Sequence, residues 1–216
     1  MADFPTIYAI TLREQFYRRR ETERHLKEHG LEAQWVYGIN GMAAGLRPSV
    51  AHDYQNDGTP IFAHHSVLAI ALSHVIVLQW ALNQGKDEFF IVEDDVVLCD
   101  GFKKAWLAGR QQIPDDIGVV QVAAVCTEDK PPIPINDFIE HRNWPFCAAC
   151  NWWRKDTADF ALKVLFPLNS PIDIIYAARV FPFVGHAITK ERLAYDHSAL
   201  AKSGKWPSST LLRERH

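Results

Sequence analysis

The chain has 216 residues, of which 48% are hydrophobic and 23% charged, and its formal net charge is -3 at pH 7. These values are typical of a globular protein and exclude intrinsic disorder, collagen and a coiled coil as the main architecture. The slightly acidic balance disfavours a nucleic-acid-binding protein, which usually carries a basic excess. A chain of this length buries about 70% of its surface, so we expect a single domain over residues 1–216.

The first part of the chain predicts two pairs of a strand and a helix. Ile7–Leu12 is short, apolar and rich in β-forming residues, and the charged segment Arg13–His29 follows it. Gln34–Tyr37 predicts a second strand, which closes on a Gly-Ile-Asn-Gly turn. Ile61–Gln84 predicts a long apolar helix, and a glycine ends it as one ends the first helix.

The most apolar run, Ser66–Leu82, is about 17 residues long and carries His74 at its middle. A membrane span needs about 20 apolar residues and rarely holds an ionisable one, so the run predicts a buried helix. The N-terminus lacks the basic and apolar parts of a secretory signal. We therefore expect a soluble cytoplasmic protein without a transmembrane segment.

The second part continues the alternation of strands and helices, beginning with a strand over Glu88–Val92 and an apolar continuation over Val96–Leu98. The remaining predicted elements are a helix over Gly101–Gln111, a strand over Gly118–Val125, a short strand over Asn151–Trp153, a helix over Asp156–Phe166, a helix from Pro171 and a last strand over Val180–Val184. This alternation predicts an α/β fold with a mostly parallel central sheet flanked by helices.

Two segments lack regular patterning. Residues 127–146 hold four prolines, which predicts a long flexible loop able to act as a lid. The chain is polar and weakly patterned from Lys190 onward, and residues 198–216 are predicted to form a mobile tail. Neither segment divides the chain into two domains.

The sharpest chemical feature is the acidic triplet Glu93-Asp94-Asp95, which apolar β-forming residues flank on both sides. Buried carboxylates must be neutralised, paired with cations or bound to a metal. At the carboxyl end of a parallel strand they would point into the ligand crevice, where carboxylates and substrate phosphates commonly hold Mg²⁺ or Mn²⁺. The triplet indicates a divalent metal that bridges to a diphosphate, with a solvated acidic turn as the alternative.

Three further features each allow a functional and a structural interpretation. The cluster Arg18-Arg19-Arg20 suits phosphate recognition, or a solvated helix face paired with glutamates. His74 lies in the apolar helix, where a lone histidine is usually a hydrogen-bonded core residue. Asp173 near a helix start can cap the helix, or serve as a general base if it faces a cleft.

Two of the four cysteines form the pair Cys147-Ala-Ala-Cys150. The pair lacks the second set of ligands of a zinc site and the strand-to-helix setting of a redox motif. Plain cysteines are the favoured interpretation, and a disulfide or a metal site stays open.

Taken in chain order, the motifs are a strand ending in Ile-Thr-Leu-Arg, a basic helix, Tyr37-Gly-Ile-Asn-Gly41, Leu-Ser73-His74, Ile-Val-Glu93-Asp94-Asp95-Val and Pro-Ile-Asp173. Their order and spacing resemble glycosyltransferase family 25, which includes bacterial lipooligosaccharide galactosyltransferases and collagen galactosyltransferases. The Leu-Ser-His and Glu-Asp-Asp motifs are specific as a pair, because both fit at a separation of about twenty residues.

This resemblance implies a GT-A-like fold and an inverting transfer of a sugar, typically galactose from UDP-galactose, to a hydroxyl of an oligosaccharide or lipid-linked glycan. It implies Mn²⁺ or Mg²⁺ as cofactor and a place in lipopolysaccharide biosynthesis. It also implies a cytoplasmic location, and because the chain lacks an obvious basic amphipathic anchor, peripheral contact at the inner face of the membrane stays open.

The resemblance further implies roles for individual residues. Asp95 is the expected main metal ligand with Glu93 or Asp94 helping, and Asp173 is the expected general base. His186, or the pair Asp196-His197, would add a metal or diphosphate contact. The expected donor-binding residues are Ile10, Thr11 and Leu12 along the nucleotide, Arg19 or Arg20 close by, His74 behind or beside the donor, and Asp94.

Three other functions compete with a transferase. A nucleotidyltransferase usually carries a glycine-rich loop after the first strand, which Ile10–Arg13 lacks. A degenerate, non-catalytic domain that binds a nucleotide sugar or glycan would keep the same motifs, and the cysteine pair suggests a zinc or redox protein.

Trp144, Trp152 and Trp153 would stack on a sugar or pack in the core.

Overall fold

The computed structural model describes residues 3–46, 65–126, 130–143 and 145–196. Three predictions fall outside these described residues: the tail over 198–216, the start of the long helix at Ile61 and the role of Trp144. Of the predicted Asp196-His197 pair, only Asp196 is described.

The described elements follow one another in the order β1 Thr6–Thr11, α1 Phe16–Glu28, β2 Ala33–Tyr37, α2 His65–Asn83, β3 Glu88–Glu93, β4 Val96–Leu98, α3 Phe102–Gly109, a 3-10 turn Arg110–Gln112, β5 Val119–Gln121, β6 Val125–Cys126, β7 Ile133–Pro134, β8 Ile139–His141, β9 Pro145–Phe146, β10 Cys150–Arg154, α4 Lys155–Val164, α5 Ile172–Arg179, α6 Phe181–Val184, β11 His186–Thr189 and β12 Ala194–Asp196. Most coincide within a few residues with predicted elements, because those are apolar runs between glycine, proline or charged residues.

The central sheet has the strand order β2-β1-β3-β10-β5-β11-β8-β7. Strands β8 and β10 run against the other six, so the predicted mostly parallel sheet is confirmed. Strands β1, β2 and β3 are parallel neighbours, since helices α1 and α2 return the chain across the sheet. The result is a mixed α/β fold with a single domain.

Strand β3 shows why the strands before the site read as continuous apolar runs. Phe89 and Ile91 pack on one face with residues of α2, α4 and α5, while Phe90 and Val92 pack on the other with residues of α1 and α3. Side chains of a strand alternate between faces, and both faces here are covered by helices. The rigid strand therefore delivers its last residue, Glu93, to the edge of a packed core.

Helix α2 is, among the described residues, the one helix long and apolar enough to cross a membrane, with a mean hydropathy of 1.7. Length and composition alone are weak evidence, because core helices pass the same test. Ala71, Val77, Leu78 and Ala81 are fully buried, as the sequence predicts for a helix that packs against the sheet.

The predicted last strand over Val180–Val184 is wrong, because this segment contains helix α6 and the strand begins only at His186. Pro182 has no N–H to donate to a strand ladder and stands in the first turn of the helix, where that donor is not needed. Gly185, with a φ of +61°, turns the chain into β11. The weakly patterned segment beyond Lys190 includes β12, which pairs with β4.

The segment 127–146, predicted as an irregular loop, contains three short strands in its described parts. Strands β7 and β8 extend the sheet at one end, and β9 pairs with β6. Pro134 is tolerated because β7 is the last strand of the sheet, where one side of the backbone has no ladder partner. Ile139 of β8 is fully buried, which anchors the segment to the core.

Candidate active site

The acidic triplet lies where the parallel strands β1 and β3 end side by side. Ile10 pairs with Glu93, so Thr11 and Asp94 are the next residues at the same edge. Carboxyl ends of parallel strands form the usual ligand crevice of an α/β sheet. The three acids have different partners: Asp94 and Asp95 contact Arg18, and Glu93 contacts His74.

Asp94 points into the protein and is 8% exposed. Its Oδ2 accepts a hydrogen bond of 2.6 Å from Thr11 Oγ1, and its Oδ1 lies 2.8 Å from Arg18 Nη2. Thr22 Oγ1 donates to the Asp94 carbonyl oxygen at 2.6 Å. Burial raises the pKa of Asp94, although Arg18 and Thr11 oppose the shift. Asp94 thus anchors the turn to β1 and α1.

Asp95 contacts the same nitrogen of Arg18 as Asp94 does. Its Oδ2 lies 2.9 Å from Arg18 Nη2, whereas its Oδ1 is buried and accepts no hydrogen bond from the described residues. Burial, followed by the charge of Glu93, raises the pKa of Asp95 to about 7. An ionised oxygen without a donor is costly in a buried position, so this atom is available for a cation.

A cleft of about 380 Å³ opens beside Asp95. Four carboxylates from three parts of the chain line it, together with apolar residues of α2, β9 and α5. The lining residues are Glu93, Asp95, Asp173, Asp196, Val67, Ile70, Phe146, Cys147, Ala148, Ala149, Pro171 and Ile172. The cleft therefore combines acidic and apolar lining residues.

Asp173 lines the same cleft from the first turn of α5, so the acidic turn and the start of α5 form two walls of the cleft. Its Oδ2 accepts a hydrogen bond of 3.2 Å from the Cys147 N–H, and its Oδ1 accepts one of 2.9 Å from the Ile174 N–H. Cys147 has a φ of +86°, a conformation that non-glycine residues rarely adopt and that clusters at functional sites. The strained backbone aims its N–H at the Asp173 carboxylate.

The fit to a divalent metal rests on the donors present. Among the described residues, no three His, Cys, Asp or Glu side chains converge into a ready-made metal centre. Mg²⁺ and related ions commonly use one or two carboxylates and complete their shell with substrate phosphates and water. The orphaned Oδ1 of Asp95 and the neighbouring Glu93 meet that requirement.

The structure brings Glu93, Asp95 and Asp173 together and leaves the predicted donor-binding residues outside the cleft. Thr11 and Asp94 are buried against each other beneath the turn. His74 is fully buried behind it, with Nε2 3.2 Å from Glu93 Oε1 and Nδ1 3.2 Å from the Tyr176 hydroxyl. It backs the cleft and does not line it.

The other predicted donor-binding residues lie at the neighbouring edge of the sheet. Ile10 and Leu12 are half-buried at the end of β1, and Arg20 is exposed on α1. Arg19 Nη1 donates a hydrogen bond of 2.6 Å to the hydroxyl of Tyr37, the last residue of β2.

The expectation that His186 helps to bind metal does not agree with its position. In strand register His186 lies level with Phe89, four residues before Glu93 and three strands away. These offsets amount to about 13 Å along the strand and about 14 Å across the sheet. His186 is buried, its Nε2 lies 2.9 Å from Gln121 Oε1, and its ring stacks on Phe181 at 4.0 Å.

Sequence reasoning missed Arg18 as the residue of its cluster that contacts the acidic turn. Arg18, Thr22 and Leu26 recur every four residues, and the last two are buried, so all three share the inward face of α1. This four-residue spacing is the sequence signal that could have identified Arg18 as the inward-facing arginine. Tyr176 was also missed, and nothing in its local sequence distinguishes it from an ordinary core tyrosine.

The structure also bears on the disulfide alternative for the cysteine pair and on two of the three tryptophans. Cys147 and Cys150 are both free, which removes the disulfide, and burial raises the pKa of Cys147 to about 12, so its thiol stays protonated. Trp152 and Trp153 are buried in β10 and pack in the core.

Comparison with protein families gives a match to glycosyltransferase family 25, described as an LPS biosynthesis protein family, over residues 4–119. The match covers more than half of the chain and includes β1, the Ser-His motif and the acidic triplet. No curated protein sequence matches the chain.

Two solved structures are similar at low sequence identity. A glycosyltransferase involved in the glycosylation of the major capsid of PBCV-1 is 13% identical, with a TM-score of 0.49, 86% of this chain and 81% of that chain covered. Protein A197 from STIV is 10% identical, with a TM-score of 0.44 and the same shares covered. At these scores the likeness carries no argument about mechanism.

Proposed function

The chain belongs to glycosyltransferase family 25, and on that premise we propose that it transfers a hexose from a nucleotide-sugar donor to a glycan hydroxyl. We take UDP-galactose as the first candidate donor, an oligosaccharide or lipid-linked glycan as acceptor, and inversion as the stereochemical course. One observation supports this reaction most directly: Asp95 and Asp173, which come from two different elements, line the same cleft.

Asp173 suits the role of general base. Its carboxylate accepts hydrogen bonds from two backbone N–H groups, and a carboxylate has lone pairs beyond these for an acceptor hydroxyl. In an inverting transfer the hydroxyl proton passes to Asp173 while the oxygen bonds to the anomeric carbon. The bond from that carbon to the diphosphate breaks on the opposite face, through an oxocarbenium-like transition state.

Asp95, with Glu93, would hold Mn²⁺ or Mg²⁺ at the acidic turn. When bound, the ion would neutralise charge that develops on the departing diphosphate. Glu93, Asp95, Asp173 and Asp196 would otherwise repel a diphosphate, since like charges in a partly buried cleft are poorly screened. Arg18 contributes a fixed positive charge from beneath the turn.

The nucleoside end of the donor would lie toward β2. Tyr37 ends that strand, the Arg13 guanidinium lies 4.9 Å from its ring centroid, and Arg19 binds its hydroxyl. Two strand spacings, about 10 Å, separate this position from the acidic turn, a span that suits a nucleoside diphosphate. An aromatic ring with two guanidinium groups suits a base and its phosphates, with Ile10, Thr11 and Leu12 between.

The decisive experiment is a donor screen by mass spectrometry. UDP-, GDP- and CMP-sugars are incubated with mixed glycan acceptors and Mn²⁺, or with EDTA, using the wild type and Asp95→Asn. Asp159→Asn, an exposed residue paired with Lys163 on α4, is the matched control.

Metal-dependent nucleotide release that Asp95→Asn loses and Asp159→Asn keeps would support the proposal and identify the donor. Donor binding without cleavage would favour the non-catalytic domain instead. If no nucleotide sugar binds, the proposed function is wrong.

A further inference from the structure

A buried polar pair, His74 of α2 and Tyr176 of α5, connects the two walls of the cleft from behind. Both side chains are fully buried, and their rings meet edge to face with centroids 5.8 Å apart. The Tyr176 hydroxyl lies 3.2 Å from His74 Nδ1, and His74 Nε2 lies 3.2 Å from Glu93 Oε1. Three side chains from three elements therefore form one hydrogen-bonded chain that ends at the cleft.

The direction of this chain follows from the donors and acceptors available. An ionised Glu93 can only accept, so His74 Nε2 carries the proton and donates to it. A neutral imidazole then has its acceptor at Nδ1, which the Tyr176 O–H satisfies. Burial raises the pKa of Tyr176 well above its ordinary value, so the hydroxyl keeps the proton that it donates.

The pair stands in otherwise apolar surroundings. Tyr176 packs against Trp153 at 4.9 Å and Phe181 at 6.0 Å between ring centroids, within the core of α2, α4 and α5. Leaving either polar group unpaired in such a core is costly. Each member of the chain therefore depends on its neighbours, which is the condition for one rigid arrangement.

The far end of the chain lies beside the proposed base. Tyr176 follows Asp173 by three residues on α5, so the two side chains emerge from adjacent positions on that helix. Glu93, 26% exposed, lies on the other wall of the cleft. One end of the chain is thus tied to the helix that carries Asp173, and the other end to the acidic turn.

We propose that His74 and Tyr176 are positioning residues, which act through Glu93 to hold the acidic turn in register with the helix that carries Asp173. This inference rests on the proposed function, because Glu93 and Asp173 are its two walls. It differs from the expectation that His74 is a donor-binding residue, behind or beside the donor. The Ser-His motif acts from the core, with Ser73 Oγ accepting from the Ile39 N–H at 2.9 Å to hold the turn after β2.

Removal of the hydroxyl oxygen from each of two tyrosines tests whether the Tyr176 hydroxyl contributes to activity. Tyr8 of β1 is as buried as Tyr176 and in the same core cluster, but its hydroxyl has no hydrogen-bond partner among the described residues. Tyr176→Phe is expected to lower kcat/KM about fivefold, the effect of one neutral hydrogen bond. Tyr8→Phe is the matched control and is expected to stay within about twofold, because it breaks no such bond.

Substitutions at His74 test whether the chain acts through Glu93. His74→Phe is expected to lower kcat/KM about 10- to 100-fold, the effect of losing a hydrogen bond to a charged group. His74→Gln keeps an N–H donor for Glu93 and should recover much of that loss. In a Glu93→Gln background His74→Phe should cost little more, since residues that act through one another are not additive.

The same variants are titrated by calorimetry with Mn²⁺ and the nucleoside diphosphate that the wild type binds, to give a readout other than turnover. We expect His74→Phe to bind them more weakly than the wild type. His74→Gln should recover the affinity, and Tyr8→Phe should bind as the wild type does. Additive losses with Glu93→Gln, or equal losses for both tyrosine variants, would overturn the inference while leaving the function intact. A wild type that neither binds nor turns over any nucleotide sugar contradicts the proposed function itself.

Discussion

The two walls of the cleft are held by different means. The acidic turn after β3 is fixed by side chains from three other elements: Thr11 of β1, Arg18 and Thr22 of α1, and His74 of α2. Asp173 on the second wall is held by two backbone N–H groups, one of them on a residue with positive φ. The carboxylates of the first wall are held by side chains, and the carboxylate of the second wall is held by backbone N–H groups of one loop and of α5 itself.

This difference matters for how each wall is expected to respond to substitution. The acidic turn lies within the residues that match the family, whereas Asp173 lies beyond them. Because many buried side chains hold the carboxylates of the acidic turn in place, these groups need little reorganisation when a diphosphate binds. We therefore expect changes to the acidic turn to affect donor binding and turnover together, and changes at Asp173 to affect turnover alone.

The largest expected effect is that of Asp95→Asn. Loss of this charge removes the candidate cation ligand of the acidic turn, and we expect kcat to fall by about 10³-fold or more with weaker donor binding. Nucleotide release by mass spectrometry and donor titration by calorimetry measure the two parts. Activity within tenfold of the wild type would contradict a metal role for Asp95.

Asp173→Asn should separate turnover from donor binding. The amide keeps the shape of the side chain but cannot accept a proton, so kcat should fall by about 10²–10⁴-fold, the range for loss of a general base. The Kd of the donor should stay within about twofold, because the donor's charge meets the other wall. A matching loss of donor affinity would show that the walls do not act separately.

Arg18 and Arg19 are adjacent and offer a matched pair within the first wall. Arg18→Met removes the guanidinium between Asp94 and Asp95, and we expect kcat/KM to fall about 10- to 100-fold. Arg19→Met loses an exposed contact to Tyr37 and should raise the KM of the donor only about two- to fivefold. Equal losses would mean that the two cations serve one function.

The smallest effect on catalysis is expected away from both walls, at His186. Burial lowers the pKa of His186 to about 3, so the unfolded chain binds a proton here that the folded chain does not between about pH 6.5 and pH 3. Its contribution to stability is present above pH 6.5 and is lost as the pH falls through this window, by about 5 kcal/mol in all.

The test at His186 compares urea unfolding of the wild type and His186→Gln at pH 7 and pH 4. The variant should lose less stability on acidification, while turnover and its metal dependence stay within about twofold. An altered metal dependence would restore the expectation that His186 is a ligand.

The sequence predicts most strands and helices because the core strands are covered on both faces and therefore appear as apolar runs. It fails at Val180–Val184, where β-forming residues surround Pro182 and the chain forms a helix instead. The local sequence pattern reflects only the strand preference of these residues. Whether the segment forms a helix depends on where Gly185 turns the chain and on what Phe181 packs against.

For the site, the sequence alone determined which chemistry is present: an acidic triplet after a buried strand, a Ser-His motif, a basic helix and Asp173. Only the tertiary structure decided which way each side chain faces. Arg18 and not Arg19 meets the acids because of the phase of α1, and His74 meets Glu93 and Tyr176 because α2 packs over β3. His186 is removed from the site because β10 and β5 lie between β3 and β11, and no spacing along the chain encodes that strand order.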